Sequence, residues 1–247
     1  MIDSKEILAV GSIAFDSIKT PKGERNKILG GSATYFGVAA SKYTKVSLIG
    51  IVGDDFTDNN WSIFEKHNIN TDSIIRSSGK TFSWGGEYNA DYSKRETLFT
   101  ELGVFENFKP NISNNLNNPI LYLGNIQPDL QIDVIKKVSD NYLIAADTMN
   151  LWIDLFPDKV WELMSMVNVF MINDEEAIQL SKENDLNKIA DNFLSCGPKI
   201  VIIKKGGEGS LLAYSDEKIN VSVVPNVNVI DPTGAGDSFA GGVLGYI

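Results

Sequence analysis

Short apolar runs alternate with amphipathic stretches along most of this chain. The apolar runs have the length of strands that are buried on both faces, which read as continuous hydrophobic sequence. They lie at residues 7–13, 46–53, 119–126, 141–148, 167–174 and 199–207. Stretches typical of helices lie between them, at residues 30–43, 59–70, 128–140 and 174–184. This alternation predicts an α/β fold with a mostly parallel central sheet.

Two segments interrupt the alternation. Residues 12–29 and 80–103 are polar and aromatic, with the partial alternation that is typical of exposed strands. Loops of this length inside a compact domain are usually functional or structured. We therefore expect a small sheet that stands off the main domain as a lid, although two long decorated loops would have the same composition.

The composition narrows the classes of partner. The chain is 43% hydrophobic and carries a net charge of −10, which argues against nucleic acid or an anionic membrane as a partner. It does not argue against phosphate groups, because a few backbone amides can bind those locally. The single cysteine, Cys196, allows no disulfide within the chain, and the sequence has neither a signal-peptide pattern nor an apolar stretch of membrane length. We expect a cytoplasmic protein.

The clearest candidate chemistry lies in residues 228–242, which read NVIDPTGAGDSFAGG. We expect residues 227–230 to form a strand and the glycines after it to open a helix. The first N–H groups of a helix lack partners and attract anions. The amides of residues 234–236 would then stabilise a phosphoryl group, and Asp237 would accept the proton of an attacking hydroxyl.

A purely structural explanation of the same stretch remains open. Thr233 or Asp231 could cap the helix, and Asp237 would interact favourably with the helix dipole. The residues of this stretch do not by themselves separate a phosphate site from a capped helix.

Other motifs along the chain favour the phosphate site. In order they are LGGSATYFGVAA (29–40), VGDD (52–55), NDEE (173–176), IKKGGEG (203–209) and DPTGAGDSFAGG (231–242). Together they resemble the motifs of the ribokinase-like, or PfkB, carbohydrate kinases, in that family's order and across nearly the whole chain. The resemblance implies a three-layer sandwich with a mostly parallel central sheet and a small β-sheet lid, in one kinase domain over residues 1–247.

The resemblance also implies an activity and the residues that carry it. The activity is ATP- and Mg²⁺-dependent phosphorylation of a hydroxyl, expected to be primary, on a small carbohydrate. The catalytic residues would be Asp237 as general base and Gly234, Ala235 and Gly236 as anion hole. The substrate would contact Asp16, Gly30, Gly31, Ser32 and Tyr35. The nucleotide would contact Asn173, Lys204, Gly206, Gly209 and Thr233. The metal residues would be Glu176, for Mg²⁺ through water, and Asp231, for a monovalent cation such as K⁺ where one is used.

Departures from the family pattern leave alternatives open. Tyr35 stands where ribokinase-type members often have asparagine, and an aromatic ring can stack on a sugar or a base, so a nucleoside kinase is the nearest alternative. Family members usually continue beyond the last glycine motif, so we expect a C-terminal truncation and keep a non-catalytic ligand-binding relative as a second alternative. Exposed lid strands also invite pairing, which predicts a homodimer through the lid. A nicotinamide dehydrogenase is disfavoured because no G-x-G-x-x-G follows the first strand.

Overall fold

The computed structural model describes residues 6–90, 92, 94–112, 120–138 and 143–247. The chain forms two compact units. The first consists of Met1–Asn111 together with Asn228–Ile247, and the second of Ile112–Val227. Among the described residues, no helix is both long enough and apolar enough to cross a membrane.

The first unit contains seven strands and three α-helices among its described residues. Its strands are β1 (Glu6–Val10), β2 (Ala14–Thr20), β3 (Gly23–Gly30), β4 (Lys45–Val52), β5 (Asn70–Arg76), β6 (Phe82–Tyr88) and β7 (Arg95–Glu101). Its helices are α1 (Ser32–Ala40), α2 (Asp58–Lys66) and α8 (Ala235–Tyr246), with a 3-10 turn at Gly103–Asn107. Strands β1, β4 and β5 pair in that order and in parallel. The apolar runs predicted β1 and β4, but no apolar run predicted β5.

The other four strands of this unit form a separate small sheet in the order β3-β2-β6-β7. Strands β2 and β6 are parallel, whereas the two outer pairs are antiparallel. Because β2 and β6 run in the same direction, the turns that follow them lie at the same edge of the sheet. The small sheet predicted from residues 12–29 and 80–103 is therefore present, and the boundaries of its strands are those given above.

The second unit has six strands and five α-helices among its described residues. The strands are β8 (Ile120–Leu123), β9 (Leu143–Asp147), β10 (Val169–Asn173), β11 (Ile200–Lys204), β12 (Ser210–Tyr214) and β13 (Glu217–Val221). The helices are α3 (Pro128–Ile135), α4 (Asn150–Leu155), α5 (Pro157–Ser165), α6 (Asp174–Ser181) and α7 (Leu186–Ser195). The strand order is β13-β12-β11-β10-β9-β8, parallel from β8 to β11 and antiparallel beyond β11.

The prediction of a strand at residues 227–230 is wrong. The last strand before α8 ends at Val221, and residues 227–230 form no strand. The apolar side chains of this stretch are not buried, since Val227 is 66% and Ile230 is 62% exposed. Without a neighbouring strand or a core to cover it, a β-branched run has nothing to pair with.

Helices α1 and α8 pack closely because small residues face each other. Ala40 is fully buried, and a Cβ added at Gly241 would overlap the carbonyl oxygen of Phe36 on α1. One position along α8, a Cβ at Gly242 would meet no atom within 4 Å. The missing side chain at Gly241 therefore lets the two helix backbones approach.

We predict opposite effects for two neighbouring substitutions in α8. Gly241→Ala should lower the free energy of unfolding by about 1–3 kcal/mol, because the methyl group overlaps backbone that cannot easily shift. Gly242→Ala should raise it by about 0.5–1 kcal/mol, because alanine is the better helix former and the space is open. Urea denaturation of both variants checks this pair, and equal effects at the two positions would show that α1 and α8 are not in close contact there.

Candidate active site

A buried carboxylate and a tyrosine form the centre of the first unit's candidate site. Asp16 lies on β2 with 4% of its surface exposed, and its Oδ2 accepts a hydrogen bond of 3.0 Å from the Tyr35 hydroxyl on α1. Burial raises the pKa of Asp16 to about 6, although the hydrogen bond from Tyr35 opposes that shift. A Cβ at Gly30 would overlap Oδ2 of Asp16, so glycine is needed where β3 passes the carboxylate.

The ring of Tyr35 lies against the turn that opens α8. A Cβ at Gly234 would overlap the Tyr35 ring, and Gly234 has a φ of 71°, a left-handed conformation that favours glycine. Burial raises the pKa of Tyr35 above its usual range, and the charges of Asp16, Asp231 and Asp237 raise it further. Tyr35 therefore stays protonated and acts as a hydrogen-bond donor among three carboxylates.

The turn before α8 uses some of its own amides. The Thr233 N–H donates to Oδ1 of Asp231 at 2.9 Å, and the Ala235 N–H donates to the Pro232 carbonyl at 3.0 Å. Among the described residues, the amides of Gly234 and Gly236 have no acceptor. Asp237 lies in the first turn of α8 and is partly buried. Of the amides at 234–236, two therefore remain to receive an anion.

The remaining predicted substrate residues pack against the end of β1. Gly31 has a φ of 92°, and a Cβ there would overlap the Ser12 carbonyl oxygen. Ser32 is buried, and its Oγ accepts from the Ser12 N–H at 3.1 Å. Both residues therefore hold the loop between β1 and β2 against α1, and the Ser32 hydroxyl is engaged with Ser12.

In the second unit, three polar residues lie at the carboxyl ends of neighbouring parallel strands. Asp147 ends β9, Asn173 ends β10 and Lys204 ends β11, with Asn173 directly opposite Lys204 in the strand register. Lys204 Nζ pairs with Asp147 Oδ2 at 2.5 Å. The carboxyl ends of strands are where ligands bind in open α/β sheets. The sequence motifs indicated Asn173 and Lys204 but not Asp147, which could have been found as an acidic residue at the end of a buried strand.

Glu176 joins this cluster from the first turn of α6. Asn173 and Glu176 form a capping box, in which Asn173 Oδ1 accepts from the Glu176 N–H and Glu176 Oε2 accepts from the Asn173 N–H. The pKa of Glu176 is raised to about 7, chiefly by burial and also by the charge of Asp147, while Lys204 opposes the shift. The local sequence N-x-x-E therefore has a structural role at the helix start as well as a candidate ligand role.

The two predicted nucleotide-side glycines lie in the turn between β11 and β12. Gly206 has a φ of 51° and Gly209 a φ of 90°, and a Cβ at Gly209 would overlap the Val221 carbonyl oxygen. The turn therefore requires glycine at Gly209 for a structural reason. The fifth predicted nucleotide residue, Thr233, lies in the first unit, where its hydroxyl donates to the Tyr88 hydroxyl at 3.1 Å.

A magnesium ion at this cluster would need phosphate oxygens as ligands in addition to protein side chains. In the part of the chain that the structure describes, no three His, Cys, Asp or Glu side chains converge on one point. Glu176 and Asp147 nevertheless bring two carboxylates into electrostatic contact, and oxygen ligands are what Mg²⁺ prefers. The donor set fits an ion that keeps several waters and takes its other ligands from a nucleotide.

The model of the pfkB carbohydrate kinase family matches residues 4–246. The chain belongs to the pfkB family of carbohydrate kinases. The family model and the order of the glycine and acidic motifs indicate the same family. The resemblance identified from the sequence is therefore confirmed.

Two relatives in this family span nearly the whole chain. A nucleoside kinase from Methanocaldococcus jannaschii is 25% identical, over 97% of this chain and 82% of the relative. A cytidine kinase from Thermococcus kodakarensis is 26% identical, over 98% of this chain and 88% of the relative.

Solved structures of the family confirm the ribokinase-like α/β fold. The M. jannaschii nucleoside kinase, described as an archaeal member of the ribokinase family, superposes with a TM-score of 0.79 at 22% identity, over 98% of this chain and 84% of that one. A candidate ribokinase II from E. coli in complex with ATP and Mg²⁺ gives a TM-score of 0.78 at 17% identity, over 98% of this chain and 85% of that one.

We predict a pH-dependent stability difference for Asp16→Asn. The folded-state pKa of Asp16, about 6, lies above its ordinary value of 3.8, so its contribution to stability is complete below the lower value and is lost as the pH rises through 6. The asparagine variant carries no such loss. Relative to wild type it should therefore gain about 2–3 kcal/mol of unfolding free energy between about pH 4 and pH 7. Urea denaturation across this range measures the gain, and a difference that does not vary with pH would contradict it.

Proposed function

We propose that this protein transfers the γ-phosphoryl group of ATP to a hydroxyl of a small carbohydrate. The observation that carries the proposal is the set of carboxylates of Asp16, Asp231 and Asp237 around Tyr35, beside a glycine turn in which two amides have no acceptor among the described residues. Several carboxylates close to one another suit an acceptor with several hydroxyls, because each carboxylate can accept a hydrogen bond from a hydroxyl.

In the proposed step, Asp237 accepts the proton of the attacking hydroxyl. A new bond forms between that oxygen and the γ-phosphorus, the bond to the bridging β–γ oxygen breaks, and ADP leaves with the electron pair. The amides of Gly234 and Gly236 stabilise the charge that develops on the transferred group, and the positive end of the α8 dipole adds to this. The Ala235 N–H instead closes the turn by donating to the Pro232 carbonyl.

Asp16 and Tyr35 orient the acceptor in this proposal. The carboxylate of Asp16 grips acceptor hydroxyls, and Gly30 and Gly31 allow a close approach to the backbone. Tyr35 holds Oδ2 of Asp16 through its hydroxyl, and the Gly31 backbone N–H also donates a hydrogen bond to this carboxylate. A monovalent cation such as K⁺ would lie near Asp231, whose side chain already orders the turn through Thr233.

The polar cluster of the second unit is our candidate for nucleotide phosphates and Mg²⁺. Lys204 and Asn173 would contact phosphate oxygens, Glu176 would hold Mg²⁺ through water, and Gly206 and Gly209 would shape the adjoining turn. When bound, the metal ion neutralises phosphate charge. Asp147 holds Lys204 in place at the strand ends through their ion pair.

A nucleoside acceptor is the second candidate, and two observations favour it. The two relatives that span nearly the whole chain carry the names nucleoside kinase and cytidine kinase. Tyr35 also presents an aromatic ring next to the acceptor site. A nucleoside would offer its ribose hydroxyls to the same carboxylates, so the chemistry is unchanged and only the recognition of the base is added.

We predict that Asp237→Asn folds but loses phosphoryl transfer by about 10²–10⁴-fold, because the amide cannot accept the proton. ADP release in the presence of ATP, Mg²⁺ and the best acceptor measures the loss. Asp216→Asn, at an exposed turn of the second unit, is the matched control and should retain wild-type turnover. Unchanged turnover in Asp237→Asn would remove the proposed general base.

An acceptor panel separates the two candidate functions. We expect ADP release with an aldopentose or ketohexose at a lower KM than with any nucleoside, and phosphate on a primary hydroxyl of the product by ³¹P NMR. A kcat/KM for a nucleoside more than about tenfold above that for every free sugar would transfer the assignment to the second candidate. Ligand binding without ADP release from any compound would contradict both.

A further inference from the structure

The residues that lead into the glycine turn are held by the small sheet. We call residues 228–233 the lead-in segment. Lys22 lies in the turn between β2 and β3, and its Nζ donates to Oδ1 of Asn228 at 2.7 Å and to the Val229 carbonyl at 2.5 Å. Tyr92 lies in the connection between β6 and β7, and its hydroxyl donates to the Ile230 carbonyl at 3.2 Å.

The third contact reaches the residue next to the turn itself. Tyr88, the last residue of β6, is 9% exposed, and its hydroxyl accepts a hydrogen bond of 3.1 Å from Thr233 Oγ1. Thr233 directly precedes Gly234, against which the Tyr35 ring lies. A displacement of Tyr88 would therefore act on the backbone only one residue from the proposed phosphate amides.

These contacts share one edge of the small sheet. Because β2 and β6 are parallel, the turn carrying Lys22 and the end of β6 carrying Tyr88 lie side by side. Lys22 Nζ also lies 5.9 Å from the centre of the Tyr92 ring, which brings the two turns together. Within the part of the chain that the structure describes, the side chains that bind the lead-in segment from other elements belong to this edge.

The lead-in segment is irregular and partly exposed. It forms no strand, and Val229 and Ile230 are 43% and 62% exposed. Backbone with few buried contacts is ordered by the hydrogen bonds it makes, and loses order when they are removed. The amides of Gly234 and Gly236 can stabilise a transition state only if they are held in position before the reaction.

We propose that Tyr88, supported by Lys22 and Tyr92, is a positioning residue that places the phosphate-binding amides of the glycine turn according to the position of the small sheet. It acts through Thr233 rather than on the substrate. The small sheet would then do more than exclude water, because the turn reaches its reactive geometry only when the sheet edge is in place. The kinetic effect expected from this inference rests on the proposed function, whereas the ordering of the turn by the small sheet does not.

Hydrogen exchange on the free protein tests the structural half, with mass spectrometry of peptides that cover residues 228–238. Tyr88→Phe removes the acceptor for Thr233 and should speed exchange at this stretch by about fivefold or more. Tyr214→Phe is the matched control, since it removes a tyrosine hydroxyl that donates to Glu217 on another hairpin, and it should leave the stretch unchanged. Exchange in Tyr88→Phe equal to wild type would overturn the proposal.

Three further variants keep the test independent of how well Tyr88→Phe folds. Lys22→Met, at an exposed position, should speed exchange at the beginning of the same stretch. Thr233→Val should reproduce Tyr88→Phe, whereas Thr233→Ser, which keeps the hydroxyl, should restore slow exchange. A serine variant as fast as the valine variant would show that the hydroxyl contact does not order the turn.

Kinetics test the functional half. Tyr88→Phe should lower kcat by about tenfold and leave both KM values within about twofold, because the amides are misplaced while substrate contacts persist. A rise in KM at constant kcat would instead make Tyr88 a substrate contact and overturn the positioning role. If wild type phosphorylates no sugar or nucleoside, the proposed function fails, and the exchange result still decides whether the small sheet orders the turn.

Discussion

The contact between the Tyr35 ring and the backbone of Gly234 is the constraint around which the candidate site is arranged. It requires a residue without a side chain at Gly234, and it fixes the distance between α1 and the start of α8. The same tyrosine reaches Asp16 with its hydroxyl, so one side chain ties the buried carboxylate to the glycine turn. The small residues of α8 that face α1 allow this approach, since a side chain at Gly241 would separate the two helices.

The electrostatics of the site follow from that packing. Burial raises the pKa of Asp16 well above its usual range, and the charge of Asp231 adds to that shift, whereas the hydrogen bond from Tyr35 opposes it. Glu176 in the second unit shows the same effect for the same physical reason. Carboxylates with a raised pKa destabilise the folded protein near neutral pH, where they are ionised. Such destabilisation is expected at a site that binds a polar ligand.

Most of the fold could be predicted from the sequence, because buried parallel strands produce apolar runs that need no long-range information to recognise. The hairpin of β12 and β13 was missed; in β13, Ile219 and Val221 are 42% and 48% exposed and alternate with polar residues. The prediction of a strand at residues 227–230 was wrong because local propensity was not matched by pairing or burial. The β-branched residues there have the propensity of a strand, but no partner strand or core covers them.

The candidate site could be located from its motifs but not assembled from them. Glycine and acidic motifs indicated Asp16, Gly234 and Asp237 because their spacing within each motif is local. The pairing of Lys204 with Asp147 and of Thr233 with Tyr88 joins residues far apart in the sequence, and no local pattern encodes such pairs. Whether Asp237 acts as general base, and whether the small sheet closes as a lid, remain predictions.

The most direct test of the central claim is a crystal structure of the protein with its best acceptor and a non-hydrolysable ATP analogue. The account predicts an acceptor hydroxyl at about 2.6–3.2 Å from a carboxylate oxygen of Asp237, with the terminal phosphate on the amides of Gly234 and Gly236. An acceptor bound away from Asp237, with that carboxylate in bulk solvent, would contradict it.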